Sequence, residues 1–83
     1  MPTSNYAAFE VYELDAVTGA KTPRATATVK LRKNNDGTLL DTVATDADGV
    51  VAAGTLSVVA GTEIFTEYED ANGRRYYGFG VTT

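Results

Sequence analysis

The chain has no cysteine and no histidine among its 83 residues. Without cysteine no disulfide can add to the modest core that a chain of this size buries. Without either residue, zinc and haem lack their usual ligands, and no thiol or imidazole is available as nucleophile or base. The sequence therefore predicts a protein that is not an enzyme, and it leaves subunit assembly as the remaining common source of buried area.

Long apolar runs are missing as well. No segment approaches the roughly 18 apolar residues of a membrane span, and residues 1–5 have neither the charge nor the apolar continuation of a signal peptide. The net charge is −4, unlike the basic surface that binds nucleic acid. We expect neither a membrane nor a nucleic-acid partner. The expected location is a virion or the cytoplasm of the producing cell, or outside the cell if a leader was removed.

Helical periodicity is absent too, because no window places apolar residues at i, i+3, i+4 and i+7 without a glycine or β-branched residue among them. Thr, Val, Ala, Gly and Tyr dominate, and turn signals recur about every ten residues, as in sandwiches and small barrels. The sequence predicts an all-β fold. We expect a single domain over 1–83, an antiparallel or mixed β-sandwich of about seven strands that is Ig-like or prealbumin-like, with 1–5 as an N-terminal arm.

Alternation and turn residues place the first strands. Residues 6–14 are predicted to form one strand and residues 15–24 a loop, which ends near Pro23 because proline cannot donate to a central ladder. The clearest alternation follows in residues 25–33. Its inward residues are expected to be Ala25, Ala27, Val29 and Leu31.

Glycine-containing turns predict hairpins further along the chain. Asp48-Gly49 lies between two apolar runs, and Asn72-Gly73 lies between residues 63–70 and 74–81. In the second hairpin Tyr77 and its alternate neighbours are expected on one face and Tyr76 on the other. Basic residues concentrate in 30–33 and acidic ones in 63–70. If these strands are neighbours, the charges pair within the chain; if not, they favour head-to-tail contact between subunits.

Turn residues also recur in a particular order from Val17 onward. They are Thr18-Gly19, Pro23 before the Ala-Thr-rich run at 25–29, Asp36-Gly37, Thr45-Asp46-Ala47-Asp48-Gly49, and a Leu-to-Gly segment at 56–61. This order resembles that of the carboxypeptidase-regulatory-like and collagen-adhesin B-type domains, which are prealbumin-like sandwiches. The resemblance covers about two-thirds of the chain and rests on turn chemistry. It implies a non-catalytic spacer or adhesion module.

Asp46 and Asp48 are the candidates for a metal site. Carboxylates at alternate positions before a glycine suit calcium, although the chain lacks the glutamate that would complete an EF-hand. Turn-forming carboxylates that bond their own backbone are the alternative, and the sequence favours them. We therefore expect no cofactor, with calcium as the exception to test. Glu63, Glu67 and Glu69 could in principle supply a glycosidase pair, but a solvated strand face is the preferred interpretation.

Aromatic and arginine residues mark the candidate binding surface. Tyrosine and arginine are over-represented at protein interfaces, although cross-strand pairing within the fold explains them equally well. The candidates are Arg74, Arg75, Tyr76, Tyr77 and Phe79, together with Tyr6 and Tyr12. We expect a structural module in an assembly, as a homo-oligomer or with virion proteins, such as a phage capsid decoration or tail component. A carbohydrate- or surface-binding module of an extracellular protein is the alternative.

Overall fold

Short antiparallel strands make up the fold. The computed structural model describes residues 2–83, and all of the strand pairings within them are antiparallel. The strands are β1 Ser4–Tyr6, β2 Phe9–Glu10, β3 Tyr12–Leu14, β4 Lys21–Pro23, β5 Thr28–Lys33, β6 Leu39–Ala44, β7 Val50–Val51, β8 Gly54–Leu56, β9 Glu63–Glu69 and β10 Arg75–Val81. No helix occurs in residues 2–83, which confirms the prediction of an all-β protein.

One four-stranded sheet, in the order β10-β9-β5-β6, dominates the structure, and β1-β8, β2-β7 and β3-β4 form two-stranded ladders. Its outer pairs are hairpins with tight glycine turns. Gly37 closes β5–β6 with a φ of +75°, and Gly73 closes β9–β10 with a φ of +81°. Glycine adopts this left-handed conformation without a Cβ clash, so the turn expected at Asp36-Gly37 and the hairpin predicted at Asn72-Gly73 both form.

The apolar core lies between the inner face of the four-stranded sheet and the short ladders. Leu31 is completely buried and packs with the buried side chains Leu56, Val58 and Ile64. Val29 and Leu31 of β5, and Ala27 just before it, are buried on the inner side, as predicted. Ala25 is exposed, against the prediction, because Thr26 has a φ of 57° and the strand begins only at Thr28.

The predicted single strand at residues 6–14 is wrong. The segment from Ser4 to Leu14 is divided into β1, β2 and β3, which pair with β8, β7 and β4 in turn. The chain therefore has ten short strands within residues 2–83 rather than about seven. β1 and β2 pair with two successive strands of residues 50–56, whereas β3 pairs with residues 21–23, so the segment changes partner along its length.

The N-terminal arm is also shorter than expected. Ser4 and Asn5 belong to β1, Ser4 is buried, and the backbone of Asn5 exchanges two hydrogen bonds of 2.9 Å with Thr83. The expected arm therefore has to be corrected at its last two residues. The loop expected at 15–24 contains β4, and Pro23 lies in that strand at a sheet edge, where its missing N–H is tolerated.

The Asp48-Gly49 turn forms but does not make a hairpin. Gly49 has a φ of +76° and its N–H donates to the Asp46 carbonyl at 3.1 Å, but β6 pairs with β5 whereas β7 pairs with β2. The carbonyl of Gly49 accepts a hydrogen bond of 2.8 Å from Val11 N–H. The turn is thereby drawn toward the N-terminal segment, and it connects two sheets.

The basic and acidic strands are neighbours. Lys30 of β5 lies opposite Glu67 of β9, and Arg32 Nε lies 3.7 Å from Glu67 Oε1. These charges therefore meet within one chain, which is the first of the two arrangements that the sequence left open.

Candidate interaction surfaces

The β9–β10 hairpin carries most of the candidate residues and separates them onto two faces. Tyr76 lies opposite Tyr68, while Tyr77 lies opposite Glu67 and Phe79 opposite Phe65. Because Ile64 is buried in the core, Tyr68 and Tyr76 share the inner face with it, and Tyr77 and Phe79 lie on the outer face. This confirms the predicted alternation of the hairpin.

The outer face carries an apolar cluster, called here the outer patch, which consists of the exposed Tyr77, Phe79 and Val81 and the half-buried Phe65. The Phe65 ring centroid lies 5.9 Å from that of Tyr77 and 6.5 Å from that of Phe79, within the range of aromatic pairs. Phe79 is nevertheless 79% exposed, Val81 58% and Tyr77 52%. Internal aromatic pairing therefore leaves most of this apolar surface in water.

The outer patch adjoins a strand edge without a partner, because β10 has only β9 beside it in the sheet. Just after the last residue of β10, Thr82 N–H donates to the Thr62 carbonyl on the side of β9. The next residue, Thr83, exchanges backbone hydrogen bonds with Asn5 on the opposite side, which is the open edge. Backbone groups of a strand alternate in direction with a period of two. The outward N–H and C=O groups of β10 are therefore those of Arg75, Tyr77, Phe79 and Val81.

A cleft of about 540 Å³ opens between the inner side of the same hairpin and the N-terminal strands. Tyr12 and Arg74 line it together with Tyr76, whose ring stacks on Tyr68 at 6.0 Å between centroids. Lys21 Nζ lies 4.4 Å from the Tyr12 ring centroid. The structure thus brings four of the candidate residues together at one cleft: Tyr12 from the N-terminal strands and Arg74, Tyr76 and Tyr77 from the hairpin.

The remaining candidates lie elsewhere. Arg75 is exposed at the start of β10, and Tyr77 lines the cleft while its ring packs against that of Phe65. Tyr6 is half-buried against the core, with its ring 6.4 Å from that of Phe9 and its hydroxyl over Gly54. The sequence did not single out Phe65 as a site residue. Two-residue alternation in the predicted hairpin places Phe65 on the same face as Tyr77, and this was a usable signal.

Asp70 organises the hairpin turn beside the cleft. Its Oδ1 accepts hydrogen bonds of 2.9 Å from the N–H groups of Asn72 and Arg74, and its Oδ2 accepts one of 3.1 Å from the Tyr76 hydroxyl. Partial burial opposes ionisation of Asp70, but the Arg74 amide, the Tyr76 hydroxyl and the Asn72 amide outweigh it and lower the pKa of this carboxyl. The turn is therefore held by a carboxylate.

The two calcium candidates lie in the turn between β6 and β7. Asp46 Oδ1 accepts the N–H groups of Asp48 at 2.8 Å and Val50 at 3.0 Å, which is the turn-forming role. Within residues 2–83, no three His, Cys, Asp or Glu side chains come together as a metal site would require. Asp46 therefore stabilises the turn between β6 and β7.

Comparison of the chain with protein-family models, curated proteins and solved structures finds no match. The resemblance to prealbumin-like domains accordingly rests on the turn residues alone. The part of the chain that the structure describes contains no helix long and apolar enough to cross a membrane.

Proposed function

We propose that this chain is a non-enzymatic interaction module that works as part of a larger protein assembly. The observation that carries the proposal is the position of the outer patch, whose exposed side chains lie along an unpaired strand edge. Exposed aromatic surface is costly in water, and a free edge offers backbone hydrogen bonds to another protein. A β-strand interface uses side-chain packing and main-chain hydrogen bonds, and the outer patch and the free edge provide these two kinds of contact.

The specific form of the proposal is a virion accessory protein, such as a capsid decoration or tail component, built on a prealbumin-like β-sandwich. Its support is the small all-β fold with a core between two layers of strands, the lack of thiol and imidazole groups for catalysis, and a surface suited to repeated contacts. Internal pairing of Arg32 with Glu67 removes the charged strands as the basis for head-to-tail contact. We propose instead that the apolar edge of β10 makes the contact between subunits.

Size-exclusion chromatography with light scattering tests assembly. The wild-type chain should have a mass above the 8.8 kDa of one subunit at high concentration. Phe79→Lys should return it to one subunit, because a charge would then lie in the outer patch. Leu39→Lys is the matched control: it is an exposed leucine of β6, at the opposite edge of the sheet, and should leave the mass unchanged. A wild-type monomer at every concentration would contradict the proposal.

Carbohydrate binding is the second candidate, and the cleft is the observation that favours it. Tyr12 and Tyr76 present rings beside Arg74 and Asp70, a combination of apolar and hydrogen-bonding groups that suits a sugar. A glycan array should then give a signal that Tyr76→Ala abolishes, whereas Phe79→Ala, whose side chain does not line this cleft, should retain it. No signal on a broad array would remove this candidate.

A further inference from the structure

The outward backbone groups along the open edge of β10 alternate so that a second copy of β10 can form hydrogen bonds with them. Its outward backbone groups belong to four alternate residues, from Arg75 to Val81, and Gly78 lies at their centre. Beyond Val81 the edge is closed, because Asn5 already bonds Thr83. The free segment therefore has a defined length and a defined centre.

We propose that two copies of the chain pair antiparallel along β10 about a two-fold axis at Gly78, which joins the two four-stranded sheets into one. This inference rests on the proposed function and names the partner of its edge. In this register Arg75 lies opposite Val81 of the second copy, and Tyr77 lies opposite its Phe79. All four outward residues of each copy are then hydrogen-bonded.

Neighbouring registers fit less well. With the axis at Phe79, Arg75 would lie opposite Thr83, whose edge Asn5 occupies. With the axis at Tyr77, Val81 would lie opposite Gly73 in the hairpin turn. A shift by a single residue would bring inward-directed groups to the edge. The Gly78 axis is thus the register that uses the whole free segment.

On the outer face this pairing joins the two outer patches. Within one copy, Tyr77 lies opposite Glu67 and Phe79 lies opposite Phe65. In the pair, Tyr77 of each copy would also lie opposite Phe79 of the other copy. Cross-strand aromatic pairs stabilise antiparallel sheets. The side chains that are most exposed in one copy would therefore cover one another in the pair.

On the inner face the same register places Tyr76 beside Gly80 of the second copy. A Cβ at Gly80 would find only Ile64 Cγ1, at 4.0 Å, so space is open above this glycine. A second cleft, of about 410 Å³, lies there and is lined by Tyr6, Ile64 and Gly80. A tyrosine ring that covers a bare glycine is a stabilising cross-strand arrangement.

Charge is complementary across the same axis. Arg75 and Glu63 are exposed, and neither takes part in an ion pair within residues 2–83. Within one chain Val81 lies opposite Glu63. In the joined sheet Arg75 lies opposite Val81 of the second copy, so Glu63 of that copy is one strand further away. The two strand spacings between them, about 9.6 Å, can be spanned by the combined length of the two side chains.

Two single-cysteine variants test the register in a chain that has no cysteine of its own. Cysteines at positions 75 and 81 of different copies would lie about 5.5 Å apart between Cα atoms, within disulfide range. Identical positions would lie six residues apart along the strands, about 20 Å. A mixture of Arg75→Cys and Val81→Cys should therefore form a disulfide dimer under mild oxidation, while each variant alone stays uncross-linked.

Cross-linking of either variant alone at the rate of the mixture, or no cross-linking of the mixture, would overturn the register. A second measurement needs no substitution: in a half-labelled sample, the Hα protons of Gly78 from two copies should give an intermolecular NOE. If the wild-type mass is above one subunit but both tests are negative, the assembly uses another contact and the proposed function stands. If the mass remains that of one subunit, both proposals fail.

Discussion

The hydroxyl oxygen of Thr66 lies over Gly78, whose N–H donates a hydrogen bond to Thr66 Oγ1 at 3.1 Å. The two residues are directly opposite in the β9–β10 hairpin. A Cβ at position 78 would approach Thr66 Oγ1 to 2.8 Å, so the contact depends on glycine. The threonine hydroxyl thus takes the place that a side chain would fill, beside the open edge of the sheet.

Gly78→Ala should destabilise the fold by about 1–3 kcal/mol, since the added methyl group collides with that hydroxyl. Replacing the hydroxyl as well, in Thr66→Ala/Gly78→Ala, should recover part of the loss. Gly80→Ala is the control, because its Cβ would have an ordinary contact of 4.0 Å with Ile64. Urea unfolding of the four chains measures this, and equal effects at positions 78 and 80 would contradict the steric argument.

Thr45→Val should cost about 1–3 kcal/mol, because a buried hydroxyl that joins two backbone groups is removed. Thr45 Oγ1 accepts the Ala27 N–H at 2.7 Å and donates to the Arg24 carbonyl at 2.6 Å. Thr42→Val, at an exposed position of β6, should change the free energy of unfolding by less than about 0.5 kcal/mol. Thermal unfolding of both variants compares them, and similar losses would count against the bridging role.

Leu31→Ala should destabilise the chain by about 2–5 kcal/mol, because the side chain is completely buried at the centre of the core. A small domain has little stability to spare, so this variant should be largely unfolded at 37 °C. Leu39→Ala removes the same atoms from an exposed position and should have a small effect. Circular dichroism measures both, and a well-folded Leu31→Ala would contradict the placement of the core.

Acid should weaken the β9–β10 turn through Asp70. Its carboxyl has a lowered pKa in the folded chain, so the stabilisation is present above the ordinary value of about 4 and is lost as pH falls through the folded pKa. Asp70→Asn should therefore be less stable than wild type at pH 7, with a difference that shrinks toward pH 2. Asp48→Asn, which removes an exposed carboxylate of another turn, is the control. A difference that is the same at both pH values would contradict this account.

Sequence patterns predicted the structure best where the interaction is local. The hairpins at Gly37 and Gly73 and the faces of β9 and β10 follow from turn conformations and two-residue alternation. Residues 4–14 are different, because β1 and β2 pair with β8 and β7 far along the sequence, whereas β3 pairs with the nearby β4. Local alternation cannot indicate that a strand will change partners, so alternation predicted one continuous strand there.

The same distinction applies to the candidate surfaces. That Tyr77 and Phe79 share a face was predictable within one hairpin. That Tyr12 and Tyr76 line one cleft was not, because 64 positions separate them and their approach depends on the whole topology. Exposure of the outer patch likewise required knowing that no strand lies beyond β10.

Amide hydrogen exchange along β10 reports on the pairing of this edge in the unmodified chain. We expect the N–H groups of Tyr77 and Phe79 to exchange slowly at high protein concentration and rapidly on dilution, because only a second protein strand can protect them. The N–H groups of Tyr76 and Gly78 face β9 and should be protected at both concentrations. Rapid exchange of Tyr77 and Phe79 at every concentration would show that no second strand pairs with β10.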